Sequence, residues 1–228
     1  MLKLNLSNIK VNESVREYAY RILNDNIVNL TLLPGTKISE KEISDILSIS
    51  RTPVREAFIR LSQEKLLEIL PQRGTYVSKI DTAQIIEFRF LRITLEQAVI
   101  KLACDDFPEE FKLKLSKNLE EQSICVKNKD HSRFFELDNE MHSIIFIGCN
   151  KPNIWKIFQE AKNYLRSRLL DLYSKQNEID LLFEQHQLII KAIFEKNISL
   201  GYDTITTHIN KVISDVNELK AHYPDYFD

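Results

Sequence analysis

Three observations predict a mainly helical protein with one short β interruption. Only 4 glycines and 6 prolines punctuate 228 residues, so long helices meet few breakers. Apolar residues recur at helical spacing over most of the chain. Residues 67–78 instead carry two short β-prone runs joined by Pro71-Gln72-Arg73-Gly74. The expected fold class is mainly α: an N-terminal winged helix-turn-helix domain over residues 1–80, then a C-terminal antiparallel all-α bundle of six or seven helices over residues 81–228.

The first helix is expected over residues 12–30, where Val15, Tyr18, Ala19, Ile22, Ile27 and Leu30 follow the 3.6-residue period and Leu33-Pro34-Gly35 supplies a turn. Ser39-Glu40-Lys41-Glu42 has capping-box spacing and opens a second helix that ends near Leu47. Thr52-Pro53 places a capping residue before a proline, opening a third helix to about Gln63 with Val54, Ala57, Phe58 and Leu61 on its buried face. The hairpin follows. From Asp81 onward helices are expected near 82–105, 108–127, 131–147, 151–174, 178–196 and 199–221, joined by loops short enough to make neighbours antiparallel. The closing AHYPDYFD reads as a loosely held acidic and aromatic tail.

Composition excludes disorder, with 43% hydrophobic and 28% charged residues, and no apolar run approaches the ~20 residues of a membrane span. No signal peptide is visible at the start, so the expected location is the cytoplasm. Cys104, Cys125 and Cys149 are odd in number and lack CxxC spacing, which fits buried thiols in a reducing compartment. The net charge of −2 conceals two halves of opposite sign. Residues 1–80 hold 12 Lys+Arg against 9 Asp+Glu, or +3, and residues 81–228 hold 19 against 24, or −5.

Cations of the basic half are placed where a DNA reader needs them. Arg51 and Arg55 stand at the start of the third helix, the end that meets base edges in the major groove, where a guanidinium pairs bidentately with guanine. Thr52 and the helix-end amides can take a phosphate, and Arg73 at the hairpin tip can enter a minor groove or grip phosphate. Taken one at a time, these side chains also read as ordinary solvated cations.

The segment SEKEISDILSISRTPVREAFIRLSQEKLLEILPQRGTYVSKI resembles the DNA-binding domain of GntR-type transcriptional regulators, over about residues 12–80, with RTPVREA and RGTYV as its most specific parts. The resemblance implies operator contacts by Lys41, Arg51, Thr52, Arg55, Arg73 and Gly74. One departure is Lys65, where many members have glycine at the end of the third helix.

In the acidic half, polar side chains interrupt apolar stripes. Asp138 and His142 lie four residues apart on one stripe, and His186 and His208 sit on two others, while His131 and His222 read as surface residues. A polar group on a core-facing stripe costs ~1–3 kcal/mol unless paired. Each histidine alone fits a satisfied core residue. Together, three imidazoles and a carboxylate suit a divalent ion such as Zn²⁺, Ni²⁺ or Mn²⁺ inside a bundle. The pattern R-x-x-L-E at Arg92–Glu96, Asp138-x-x-x-His142, GCN at 148–150, EQH at 184–186 and His208-Ile209 resembles the FCD effector domain of the FadR subgroup. That resemblance implies a divalent metal, zinc first, held by Asp138, His142, His186 and His208. Positions left over at the ion would take waters or a small carboxylate effector. Arg92 is the first choice for neutralising that acid, followed by Arg166 and Arg168.

The function expected is a ligand-responsive regulator, most simply a repressor, binding a pseudo-palindromic operator as a homodimer. A metal sensor is the alternative, and a metal-dependent hydrolase a further one. Against the hydrolase, no additional Glu, His or Tyr stands on the ligand-bearing stripes as a general base. The expectation is therefore not an enzyme.

Overall fold

The structure is a computed structural model that describes residues 2–159 and 179–228, without the side chains of 211–215, 217 and 218. The described chain divides into two compact units, one of residues 2–82 with 219–228, the other of the helical residues between.

In the first unit, helix α1 spans Val15–Val28. It starts where a complete capping box forms: the Glu17 amide donates to Ser14 Oγ at 3.2 Å, and the Ser14 amide donates to Glu17 Oε2 at 2.9 Å. Strand β1 (Lys37–Ile38), helix α2 (Glu40–Leu47), helix α3 (Arg51–Gln63) and strands β2 (Leu67–Leu70) and β3 (Gly74–Val77) follow. The sheet is antiparallel in the order β1-β3-β2, with Leu67 opposite Val77 and Leu70 opposite Gly74. Strand β1 has only two residues, too few for an alternating pattern to reveal. Ile22, Leu23, Phe58 and Leu61 are buried together beneath this sheet and the three helices. Each fully buried side chain of this kind contributes about 1.5–3 kcal/mol.

Helix α3 begins two residues earlier than Thr52-Pro53 suggests. Ser50 is its N-cap, Arg51 its first residue, and Thr52 lies inside the helix. Pro53 is still within the first turn, where its missing N–H removes no intrahelical bond.

Residues 2–8 are strapped across α1. The Asn26 side chain accepts from the Asn5 amide at 2.7 Å and donates to the Asn5 carbonyl at 3.0 Å, and Arg21 forks onto Glu13 at 2.6 and 2.8 Å. The closing residues are also held, contrary to a loose tail. Phe227 is buried and bridges Ile80 in parallel, and the Ile80 amide donates to the Tyr226 carbonyl at 2.8 Å. Residues 219–228 accordingly group with the first unit.

The second unit is built from helices α4 (Thr82–Asp105), α5 (Glu109–Asn128), α6 (His131–Gly148), α7 (Pro152–Gln159), α8 (Ile179–Phe194) and α9 (Ile198–His222), of which Thr82 and residues 219–222 count with the first unit. Cross-helix partners run in opposite order, as antiparallel neighbours require. Asn118 meets Leu137 and Glu121 meets Arg133 between α5 and α6, and Arg89 meets Asn210 and Gln97 meets Thr206 between α4 and α9. Buried thiols at Cys104 and Cys125 and a half-buried one at Cys149 are unbridged. At Gly148, the last residue of α6, a Cβ would lie 2.4 Å from the Phe107 ring, so the close approach of that ring calls for glycine.

Scarcity of glycine leaves a mark on the helix ends. Ser48, Lys65, Lys129, Asn150 and Lys196 all adopt positive φ, between 55° and 58°, just after a helix. Each helix closes with the six-to-one bond of a Schellman turn, as between the Leu66 amide and the Leu61 carbonyl at 2.8 Å. The left-handed conformation is strained for any residue with a Cβ, so these turns tolerate a local cost to terminate the helix.

Candidate nucleic-acid interface and candidate metal centre

Helix α3 is anchored by Val54, Ala57, Phe58 and Leu61, all buried, and this turns Arg51, Thr52 and Arg55 outward to solvent. No side chain caps its N-terminus and no acid stands in its first turn, so the positive end of the helix is left receptive to phosphate. Lys41 is exposed on α2. Across the hairpin, Gln72 takes φ 60° and Gly74 φ 114°, a turn that presents Arg73 to solvent, and the Tyr76 hydroxyl donates to the Arg73 carbonyl at 3.2 Å. The six residues expected to touch DNA are therefore brought together in one unit on α2, α3 and the wing.

One further exposed cation lies against the wing. Lys37, on β1, is exposed, and its stem lies so close to Gly74 that a Cβ there would come within 2.8 Å of Lys37 Cε. Its ammonium stands 5.7 Å from the Tyr76 ring centre. Only the pairing of Lys37 with Tyr76 across β1 and β3 makes it part of the wing, and no local pattern announces that.

In the helical unit, Asp138 and His142 from α6, His186 from α8 and His208 from α9 converge, all buried. Their ligand atoms lie within 4.8 Å of one another. Asp138 Oδ1 stands 3.0 Å from His186 Nε2, 3.6 Å from His208 Nε2 and 3.9 Å from His142 Nε2. Ligands about 2.1 Å from a first-row ion stand roughly 3.0–3.4 Å apart at adjacent tetrahedral or octahedral positions and about 4.2 Å apart across an octahedron, so the separations from Asp138 Oδ1, 3.0 to 3.9 Å, come close to what such an ion needs.

The tautomers agree with that use. His142 Nδ1 lies 2.6 Å from Glu96 Oε2, His186 Nδ1 2.7 Å from Gln122 Oε1, and His208 Nδ1 3.0 Å from Gln185 Oε1. The Gln122 amide nitrogen donates to Asn118 Oδ1 at 2.7 Å, so its oxygen is the atom facing His186. With Nδ1 donating to these acceptors, each Nε2 faces the centre, where it presents a lone pair when the ring is neutral. Lone pairs and a carboxylate oxygen crowded together repel, and a cation among them turns repulsion into attraction. Burial, reinforced by the adjacent imidazoles and opposed by Asp138, holds the His208 pKa down at about 3, in the neutral form that ligates.

Glu96, Gln122 and Gln185 are the functional side chains that periodicity alone does not mark, although Glu96 ends R-x-x-L-E and Gln185 sits inside EQH. Burial would raise the Glu96 pKa, but His142 and Arg92 outweigh it and bring it to about 2. Arg92 is buried, with its Nε donating to Glu96 Oε1 at 2.6 Å, which places it one residue removed from His142. Arg166 and Arg168 lie outside the described residues.

Comparison with known proteins agrees with both halves. A family described as "Bacterial regulatory proteins, gntR family" matches residues 15–77, and the FCD domain matches residues 87–211. The HTH-type transcriptional repressor RspR of Escherichia coli K12 is 32% identical over 215 residues, 94% of each chain. The gluconate operon transcriptional repressor of Bacillus subtilis is 28% identical over 198 residues, covering 85% of this chain and 81% of that one. Among solved structures, E. coli McbR/YncC superposes with a TM-score of 0.72 at 20% identity, over 90% of this chain and 98% of that one, which supports the fold. These families and relatives are transcriptional regulators rather than enzymes, and the hydrolase alternative gives way to them.

Proposed function

Because the chain belongs to the GntR family of transcriptional regulators, with a DNA-binding domain and an FCD domain, we propose that it is a repressor whose hold on its operator is set by a small carboxylate at a metal centre. GntR regulators bind operator DNA, and the relatives cited are named as repressors. Here Arg51 and Arg55 read base edges in the major groove. Thr52, Lys41 and the wing residues Arg73 and Gly74 fix the register on phosphate or in the adjacent minor groove.

A divalent ion, zinc first by the borderline character of three imidazoles and one carboxylate, is held by Asp138, His142, His186 and His208. The single observation that carries this is the convergence of four buried ligand atoms within 4.8 Å. The bound ion supplies a Lewis-acidic centre for the effector's carboxylate oxygens. Arg92 is linked to this centre through Glu96, and Arg166 and Arg168 stand as further candidates for meeting the acid.

Homodimerisation fits the two-fold symmetry of a pseudo-palindromic operator. It is supported by the apolar residues that α4 leaves exposed, with Ile86, Phe90, Leu91 and Leu102 recurring along the helix and Phe90 73% exposed. A regulator of this kind acts in the cytoplasm, where its operator is. No described helix is long and apolar enough to cross a membrane.

Effector control is a population shift: a ligand releases DNA only as far as it prefers the DNA-incompetent state. The test is fluorescence anisotropy of promoter DNA with the metal-loaded protein, titrated with a panel of small carboxylic and sugar acids. Release by one class supports the reading. If metal addition alone switches DNA binding and no acid does, the protein is a metal sensor instead.

A further inference from the structure

The three imidazoles differ in what holds them from behind. His186 and His208 are each backed by a neutral glutamine amide, Gln122 and Gln185, whereas His142 is backed by a carboxylate, Glu96, at the shortest of the three separations, 2.6 Å. Glu96 is 2% exposed, and its other oxygen takes the Arg92 Nε at 2.6 Å. Glu96 and Arg92 are one turn apart on α4, and α4 contributes no ligand to the centre. A buried ion pair is seldom retained for stability alone, since desolvation cancels much of its attraction. It is well placed for another task.

We propose that Glu96 is a positioning residue that fixes the orientation of His142, raises the donor strength of its Nε2 and so sets the affinity and ligand field of the metal centre, with Arg92 anchoring the carboxylate and Gln122 acting more weakly on His186. The inference rests on the metal reading above and deepens it.

The physical chain is short. A carboxylate accepting the Nδ1 proton pushes electron density into the ring and toward Nε2, more than a neutral amide does. The Arg92 guanidinium occupies Glu96 Oε1 and leaves Oε2 aimed at the ring, so Glu96 cannot swing away to become a ligand itself. Gln122 is oriented in its turn by Asn118, whose amide nitrogen donates to the Leu137 carbonyl at 3.1 Å, beside Asp138 on the same helix. Outer partners of this kind typically change metal affinity about 10–100-fold.

Cobalt(II) alone is the probe, because its visible absorption reports the ligand field and a competing chelator reports affinity. The full chain is titrated as wild type, Glu96→Ala, Gln122→Leu and the pair Glu96→Gln with Arg92→Met, which keeps an oxygen for His142 and removes the guanidinium an amide nitrogen would oppose. Expected are a Co²⁺ affinity loss of about 10–100-fold and a shifted absorption band for Glu96→Ala, a smaller loss for Gln122→Leu, and partial recovery in the double variant. Wild-type affinity and spectrum in folded Glu96→Ala overturn the proposal. Should that variant fail to fold by circular dichroism, the double variant and Gln122→Leu decide it, since wild-type affinity and spectrum in both would equally overturn it. Failure of the wild-type protein to bind Co²⁺ would instead remove the metal reading itself.

Discussion

His142 Nε2 and His208 Nε2 face each other at 3.3 Å, brought together from helices α6 and α9 across 66 residues of sequence. When both rings are neutral and donate through Nδ1, two lone pairs point at one spot. That arrangement has a direct consequence for metal content.

Removing one ligand should empty the centre. His186→Ala or His208→Ala is expected to lower bound metal, measured by elemental analysis of the purified protein, and to blunt any effector response in DNA binding. Full metal occupancy in both variants would withdraw the ligand assignment.

Arg55 tests the reading helix. Arg55→Ala is expected to weaken specific operator binding by about 1–3 kcal/mol in a gel-shift titration, the worth of one bidentate contact to a base. Because Arg55 is exposed, thermal unfolding should be unchanged. Wild-type operator affinity would count against the placement of α3 in the major groove.

Lys37 tests the wing. As a phosphate contact, its replacement by alanine should weaken binding to specific and random DNA alike and reduce the slope of log affinity against log salt by about 1. Loss confined to the specific site would point to base reading instead.

Lys65 holds φ 57° at the end of α3. Glycine relieves that strain, so Lys65→Gly is expected to stabilise the DNA-binding unit by up to about 1 kcal/mol, read from the denaturation midpoint. Destabilisation would show that the lysine side chain contributes more than its backbone costs.

Arg21 and Glu13 set the acid behaviour of the N-terminal strap. The bond from Arg21 holds the Glu13 pKa at about 2, below its usual 4.5, so the pair's contribution is present above 4.5 and is lost as pH falls toward 2. Proteolysis near residues 2–10 should accelerate over that window in the wild type. Arg21→Ala should show the faster cleavage already at neutral pH.

Much of the helical order was legible from spacing because the signals are local. The stripe through Phe134, Asp138, His142 and Ile145 is visible without neighbours, and so is the Ser39 cap, whose hydroxyl accepts from the Glu42 amide at 3.2 Å. The start of α3 was misplaced because two candidate caps, Ser50 and Thr52, lie two residues apart, and choosing between them depends on how Val54 and Phe58 are buried. The same limit hid β1: two residues carry no period, and Lys37–Ile38 becomes a strand only because β3 offers it an edge.

By itself the sequence determined which residues could do chemistry: the arginines at the head of one helix, and the acid and imidazoles on apolar stripes. Helical periodicity assigns a side chain to a face, and burying a polar group on that face demands a partner. Only the tertiary structure decided who the partners are. Glu96, Gln122 and Gln185 look like ordinary surface-type residues in the chain, and they acquire a role because α4, α5 and α8 pack so that their oxygens meet Nδ1 of the three rings. Tautomer, lone-pair direction and the spacing of the ligand atoms follow from that packing, since hydrogen bonds between distant segments depend on distances that spacing along one helix does not contain.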